Sequence, residues 1–162
     1  MDLVQFIKKE MIWVQTPCQD QTALFAEVST RAASQDLITD QFLQKLTERE
    51  AIFPTGLQLE NFGVALPHTD PECVTEQFIA VLTSEAGIPF KQMADANQET
   101  TANLIFVLGL NEPHSQLAVL QQLMGAIQNE EHVKALLAAK TADDIIETLS
   151  QVVLHLKGEE KL

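Results

Sequence analysis

At 162 residues the chain is long enough to bury a core without disulfide or metal staples, and we read residues 1–162 as a single domain, frayed at its first residues and from about 158 onward. Ten basic residues against 23 acidic ones give a formal charge of −13, which repels nucleic acid and anionic lipid and favours encounter with a basic protein face. The two cysteines, Cys18 and Cys73, form no CxxC pair, which argues against a disulfide framework or a zinc site and for a reducing, cytoplasmic setting.

In residues 1–10, Asp2 precedes Lys8 and Lys9, the wrong charge order for a secretory signal, so the segment is expected to stay in the protein. Over residues 19–33, Ala23, Leu24, Ala26, Val28 and Ala32 recur at helical spacing behind Asp20, a good N-cap. Thr39 and Asp40 predict a second cap, followed by a helix with an apolar stripe of Phe42, Leu43 and Leu46 that stops at Pro54-Thr55-Gly56. Arg49 falls in its last turn, where a cation complements the helix dipole.

The stretch 61–69, Asn-Phe-Gly-Val-Ala-Leu-Pro-His-Thr, alternates large Val64 and Leu66 with small Gly63 and Ala65, which predicts a strand. Pro67 lacks an amide hydrogen, so pairing is expected to stop there and leave His68 just past the strand end. A second strand is predicted over 77–83, with a break at Gly87-Ile88-Pro89-Phe90 and a loop over 93–101. Residues 103–110 read as a strand buried on both faces; their apolar run is far too short to span a bilayer as a helix, and no membrane insertion is expected. Leu117, Leu120, Leu123, Met124 and Ile127 predict a helix over 114–128 behind Pro113. After a break near Asn129, Val133, Leu136 and Leu137 lead to a capping box of Thr141 and Asp144 and a last helix carrying Ile145, Leu149 and Val153. Helices alternating with apolar strands predict an α/β fold, a mixed β-sheet flanked by α-helices on both faces.

Of the four histidines, His68 and His114 both lie at strand ends, the edge of an α/β sheet where chemistry concentrates. His132 and His155 fall in helical surroundings that suit surface or packing roles. His68 and Cys73 do not make a metal set, and Cys73 reads as a small apolar residue.

The segments Arg49-Glu50-Ala51-Ile52-Phe53-Pro54-Thr55-Gly56, Gly63-Val64-Ala65-Leu66-Pro67-His68-Thr69 and Asn111-Glu112-Pro113-His114 occur in this order. Together they resemble the enzyme IIA domain of the fructose/mannitol class of the bacterial sugar phosphotransferase system (PTS EIIA type 2), most of all its galactitol-type branch. Leu66 departs from the isoleucine or valine more usual before the proline, and keeps an apolar strand end. The resemblance implies that His68 accepts a phosphoryl group from the phosphocarrier HPr and passes it to a cysteine of a sugar-specific IIB protein, itself coupled to a membrane IIC. It also implies that His114 is the second active-site histidine and Arg49 the active-site arginine, with no metal or cofactor. Galactitol or a related polyol or sugar is the implied cargo. A regulatory IIA-like phosphoprotein, in which His68 phosphorylation controls a protein partner, has the same motifs. A phosphate-free interaction module would keep only the fold.

Overall fold

Apolar side chains on both sides of the central strands leave the sheet no wet face, so helices must cover it twice. The computed structural model describes residues 2–160, the side chains of 159 and 160 excepted. A 3₁₀ turn at Leu3–Phe6 leads into β1 (Ile7–Trp13), α1 (Gln21–Ser34), α2 (Phe42–Ile52), β2 (Gly56–Gln58) and β3 (Gly63–Ala65). Then follow β4 (Phe78–Lys91), β5 (Glu99–Gly109), α3 (Pro113–Ile127), α4 (Glu130–Ala138) and α5 (Ala142–Glu160). The strand order is β1-β4-β5-β3-β2. β1 runs parallel to β4 and β3 parallel to β5, while the β4–β5 and β2–β3 pairs are antiparallel.

The period-two alternation of the strands sorts their side chains into two cores. Phe78, Ala80 and Leu82 of β4, with Ile105 and Val107 of β5, pack with Leu24, Phe25 and Val28 of α1 and Phe42 and Leu46 of α2. Ile79 and Val81, with Leu104, Phe106 and Leu108, meet Val119 and Leu123 of α3, Val133 and Leu136 of α4, and Ile145 and Leu149 of α5. Phe78 and Phe106 are fully buried on opposite faces, each worth about 1.5–3 kcal/mol relative to exposure. This is the expected mixed sheet between two helical layers.

The helix ends follow their capping residues. Asp20 accepts from the Ala23 amide at 2.8 Å, and Asp144 and Thr141 exchange bonds through Asp144 N–H to Thr141 Oγ1 and Thr141 N–H to Asp144 Oδ2, both 3.1 Å. The α2 cap shifts: Gln41 is the N-cap and makes no side-chain bond, while Thr39 Oγ1 accepts from the Gln41 amide at 3.3 Å. The expected frayed end meets α5, which runs on to Glu160; Met1, Lys161 and Leu162 lie outside the described residues.

Two strand expectations need correction. Residues 87–90 do not end the second strand; β4 continues to Lys91 past a register shift between Thr83 and Ile88, with Gly87 at φ +84°. Pro89 falls where β1 no longer pairs β4, since that pairing ends at Leu82, and an edge of this kind tolerates a residue without an N–H. Consequently the expected loop over 93–101 is shorter, since β5 begins at Glu99. β1 went unassigned because Lys8, Lys9 and Glu10 interrupt its apolar pattern; as an edge strand it carries them on its exposed half. β2 is another short edge strand, hidden in the sequence behind the helix stop.

Gly63 is where the fold allows no side chain. A Cβ there would lie 2.0 Å from the Thr101 carbonyl oxygen, a backbone atom of β5. Gly63→Ala is expected to cost about 1–3 kcal/mol in urea unfolding. A loss below about 0.5 kcal/mol would mean that β3 and β5 part more easily than their packing implies.

Candidate functional site

His68 follows β3, and the proline before it has no N–H to lose. Pairing does not stop at Pro67 as expected: its carbonyl accepts from Leu108 N–H at 2.9 Å, and His68 forms an isolated parallel bridge with Leu108. The extra step ties the His68 backbone to the end of the buried central strand.

The imidazole is half-buried, and its Nδ1 lies 2.9 Å from the Leu66 carbonyl oxygen. A carbonyl can only accept, so Nδ1 carries the proton and Nε2 keeps the lone pair. Burial pushes the His68 pKa below its ordinary value; the Leu66 hydrogen bond opposes this, and the nearby Arg49 charge lowers it further. The ring is therefore neutral near pH 7, with the Nε2 lone pair unshared.

Arg49, from the last turn of α2, and His68 line one cavity of about 120 Å³, with Thr69, Pro71, Leu108, Leu110, Gln116 and Leu120. By the same measure one water needs about 10–15 Å³, so there is room for a small anionic group. Arg49 Nη1 donates to Asp70 Oδ1 at 3.3 Å, and its guanidinium lies 5.6 Å from the Phe53 ring centre. Both partners of the ion pair are more than a third exposed, so it orients the fork more than it stabilises the fold. Arg49 Nε is buried without a hydrogen-bond partner. Thr69 Oγ1 is also buried and, although beside Cys73, makes no bond of normal geometry.

His114 stands apart from this pair. It is exposed in the first turn of α3 and does not line the cavity; Gln116 and Leu120 of the same helix do. The N-cap, Glu112, makes no side-chain capping bond, leaving the positive end of a 15-residue helix uncapped on this side. His132 and His155 meet edge to face with centroids 5.5 Å apart, and His132 Nδ1 bonds the Ala126 carbonyl at 3.2 Å, a packing arrangement away from the cavity residues. Cys73 is buried, and burial together with the Glu72 and Asp70 carboxylates pushes its thiol up, away from thiolate chemistry. Among the described residues no group of three or more His, Cys, Asp or Glu could hold a metal ion, and no helix is long and apolar enough to cross a membrane.

The sequence does not mark Asp70, Gln116 or Leu120 as site residues, Leu120 being legible only as part of the α3 apolar stripe. Asp70 is two residues past His68, which could have signalled a charge partner for the arginine; Gln116 and Leu120 carry no signal beyond helical spacing.

Comparison with known proteins gives the site a context. Residues 5–152 match the family described as "Phosphoenolpyruvate-dependent sugar phosphotransferase system, EIIA 2". The chain is 28% identical over 118 residues to the galactitol-specific EIIA component of the PTS of Escherichia coli K12, covering 73% of this chain and 78% of that protein. It is 25% identical over 150 residues to the mannitol-specific phosphotransferase enzyme IIA component of Geobacillus stearothermophilus, covering 90% and 96%. In fold it is similar to the E. coli mannitol enzyme IIA solved in complex with phosphorylated enzyme IIB, with TM-score 0.71, 18% identity, and coverage of 90% of this chain and 97% of that one.

A lowered pKa means that folding favours neutral His68. Stability from this group is present above the ordinary value of 6.5 and is lost as pH falls through the lower folded value. An NMR titration of the His68 ring is expected to show a midpoint below 6.5. A midpoint at or above that value would contradict the neutral ring.

Proposed function

The chain belongs to the EIIA type 2 family of the phosphoenolpyruvate-dependent sugar phosphotransferase system, a family of phosphotransferase components, and on that premise we propose that it carries a phosphoryl group on His68 Nε2. The observation that carries this reading is the Nδ1 bond to Leu66, which leaves the ring one free nitrogen in a cavity shared with a guanidinium. The donor is phospho-HPr. The Nε2 lone pair attacks phosphorus, the P–N bond to the HPr histidine breaks, and its electron pair returns to that ring. Onward transfer reverses the roles: a IIB cysteine thiolate attacks phosphorus and His68 leaves as a neutral imidazole once its nitrogen regains the lone pair. A loose phosphoryl-transfer transition state needs alignment and charge neutralisation more than covalent help.

Arg49 supplies the neutralising charge, oriented by its Nη1 bond to Asp70, and a planar fork suits a phosphoryl group's oxygens. His114, exposed in the first turn of α3 outside the cavity lining, acts on the phosphoryl group when a partner docks, with the uncapped helix terminus beside it. Ile52 and Phe53 beside Arg49, and Leu117 beside Gln116, are exposed apolar residues suited to a transient protein contact. The charge of −13 adds attraction for a basic partner face. Likeness to the galactitol-specific EIIA component supports galactitol or a related polyol as the cargo, delivered by a membrane partner in the sugar-specific step.

Intact-mass measurement after incubation with phosphoenolpyruvate, enzyme I and HPr is expected to show one phosphoryl addition on the native chain and none on His68→Ala. Addition to both, or to neither while a control IIA is labelled, removes the proposed carrier. Arg49→Lys is expected to slow phosphorylation about tenfold or more, because a point charge does not replace a fork. His114→Ala should also slow it with the fold intact; an unchanged rate would place His114 outside the chemistry.

A further inference from the structure

The carrier reading requires His68 to keep one ring orientation and one tautomer, and its ring bond goes to a peptide group that is itself held from behind. Leu66 N–H donates to Thr55 Oγ1 at 3.2 Å, while the Leu66 carbonyl accepts from His68 Nδ1 at 2.9 Å. Thr55 is anchored in turn. Its hydroxyl donates to Glu50 Oε1 at 2.8 Å and its amide donates to Glu50 Oε2 at 2.7 Å. Glu50 is 4% exposed and Thr55 3%, so solvent does not replace these partners.

We infer that Glu50 and Thr55 are positioning residues for phosphoryl transfer, fixing the Leu66 peptide and through it the tautomer and direction of the His68 ring. This rests on the carrier reading for its function, and on the four hydrogen bonds for its geometry.

The donor and acceptor count singles out these residue types. A threonine hydroxyl has one proton and two lone pairs. Here it receives one bond from Leu66 and spends its proton on Glu50, so an acceptor must stand on the far side. A carboxylate can accept from the hydroxyl and the amide together, one on each oxygen; a carboxamide would set an NH2 donor against one of these two donors. Burying the carboxyl is costly, and burial pushes the Glu50 pKa up to about 7 although both Thr55 groups lower it. A neutral side chain would turn this helix end without that cost. Glu50 also follows Arg49 directly, so the last turn of α2 sends one charge to the cavity and the other to the support of the histidine.

The test compares Thr55→Val and Glu50→Gln, close in shape but lacking the bonding pattern, with Thr55→Ser, which keeps the hydroxyl. Each is checked for folding by its amide NMR spectrum. Imidazole ¹⁵N shifts then report the His68 tautomer, and steady-state kinetics with phospho-HPr report kcat and KM. The native ring is expected to hold its proton on Nδ1. In Thr55→Val and Glu50→Gln the two nitrogen shifts should move toward each other, with kcat reduced about tenfold or more and KM for HPr changed less than about twofold. Thr55→Ser should recover most of both effects. Folded variants that lose only thermal stability, with native ¹⁵N shifts and native kcat, would overturn the inference. If Thr55→Val does not fold, Glu50→Gln set against Thr55→Ser decides the same question. A native chain that takes no phosphoryl group while the shifts change as stated would remove the carrier reading and leave the ring-positioning geometry supported.

Discussion

A peptide group taken out of water must find partners for both its N–H and its C=O, and at Leu66 this requirement reaches His68. Leu66 lies at the end of β3, its side chain in the core beneath α3 and its neighbour Ala65 in the core beneath α1 and α2. Its two backbone groups are bonded by side chains, Thr55 on one side and His68 on the other. The rigidity of the sheet interior is thereby passed to an imidazole that is itself half-exposed. Preorganisation of this kind matters where catalysis depends on alignment.

The electrostatics divide by distance. The chain as a whole carries a formal charge of −13, which opposes binding of polyanions. Beside His68 the cavity wall carries the Arg49 guanidinium, whose charge adds to burial in keeping the ring neutral. Asp70 holds this guanidinium from the loop after His68, so the same few residues of chain provide the histidine and the carboxylate that orients its neighbouring cation. A single cation here is compatible with a net acidic protein because screening confines its effect to the site.

The two helical layers have different tasks. α2 contributes Arg49 and Glu50 from its last turn, whereas α3 approaches from the other face and brings Gln116 and Leu120 to the cavity wall. The cavity lies at the sheet end where His68 bridges Leu108, and each layer closes one side of it. The exposed apolar residues Phe53 and Leu117 come one from each layer, so a protein docking there would touch both.

Much of this architecture was legible in the chain. The alternation of Val64 and Leu66 with Gly63 and Ala65, the helical stripes and the caps at Asp20 and Thr141 are local patterns, and local patterns survive into the structure because each residue's face follows from backbone period alone. The order of the three motif segments likewise pointed to the family now matched over residues 5–152. What stayed hidden depends on neighbours distant in sequence. β1 became a strand because β4 offered it an edge, and Pro89 stayed in a strand where β1 no longer pairs β4. Arg49 could be read alone as a helix-end charge; only folding set it in one cavity with His68 and beside Asp70, and left His114 at the exposed start of α3. The roles of Glu50 and Thr55 belong to the tertiary structure for the same reason: hydrogen bonds between side chains and a remote peptide have no period in the sequence, and arise only where packing brings α2, β3 and the turn between α2 and β2 together.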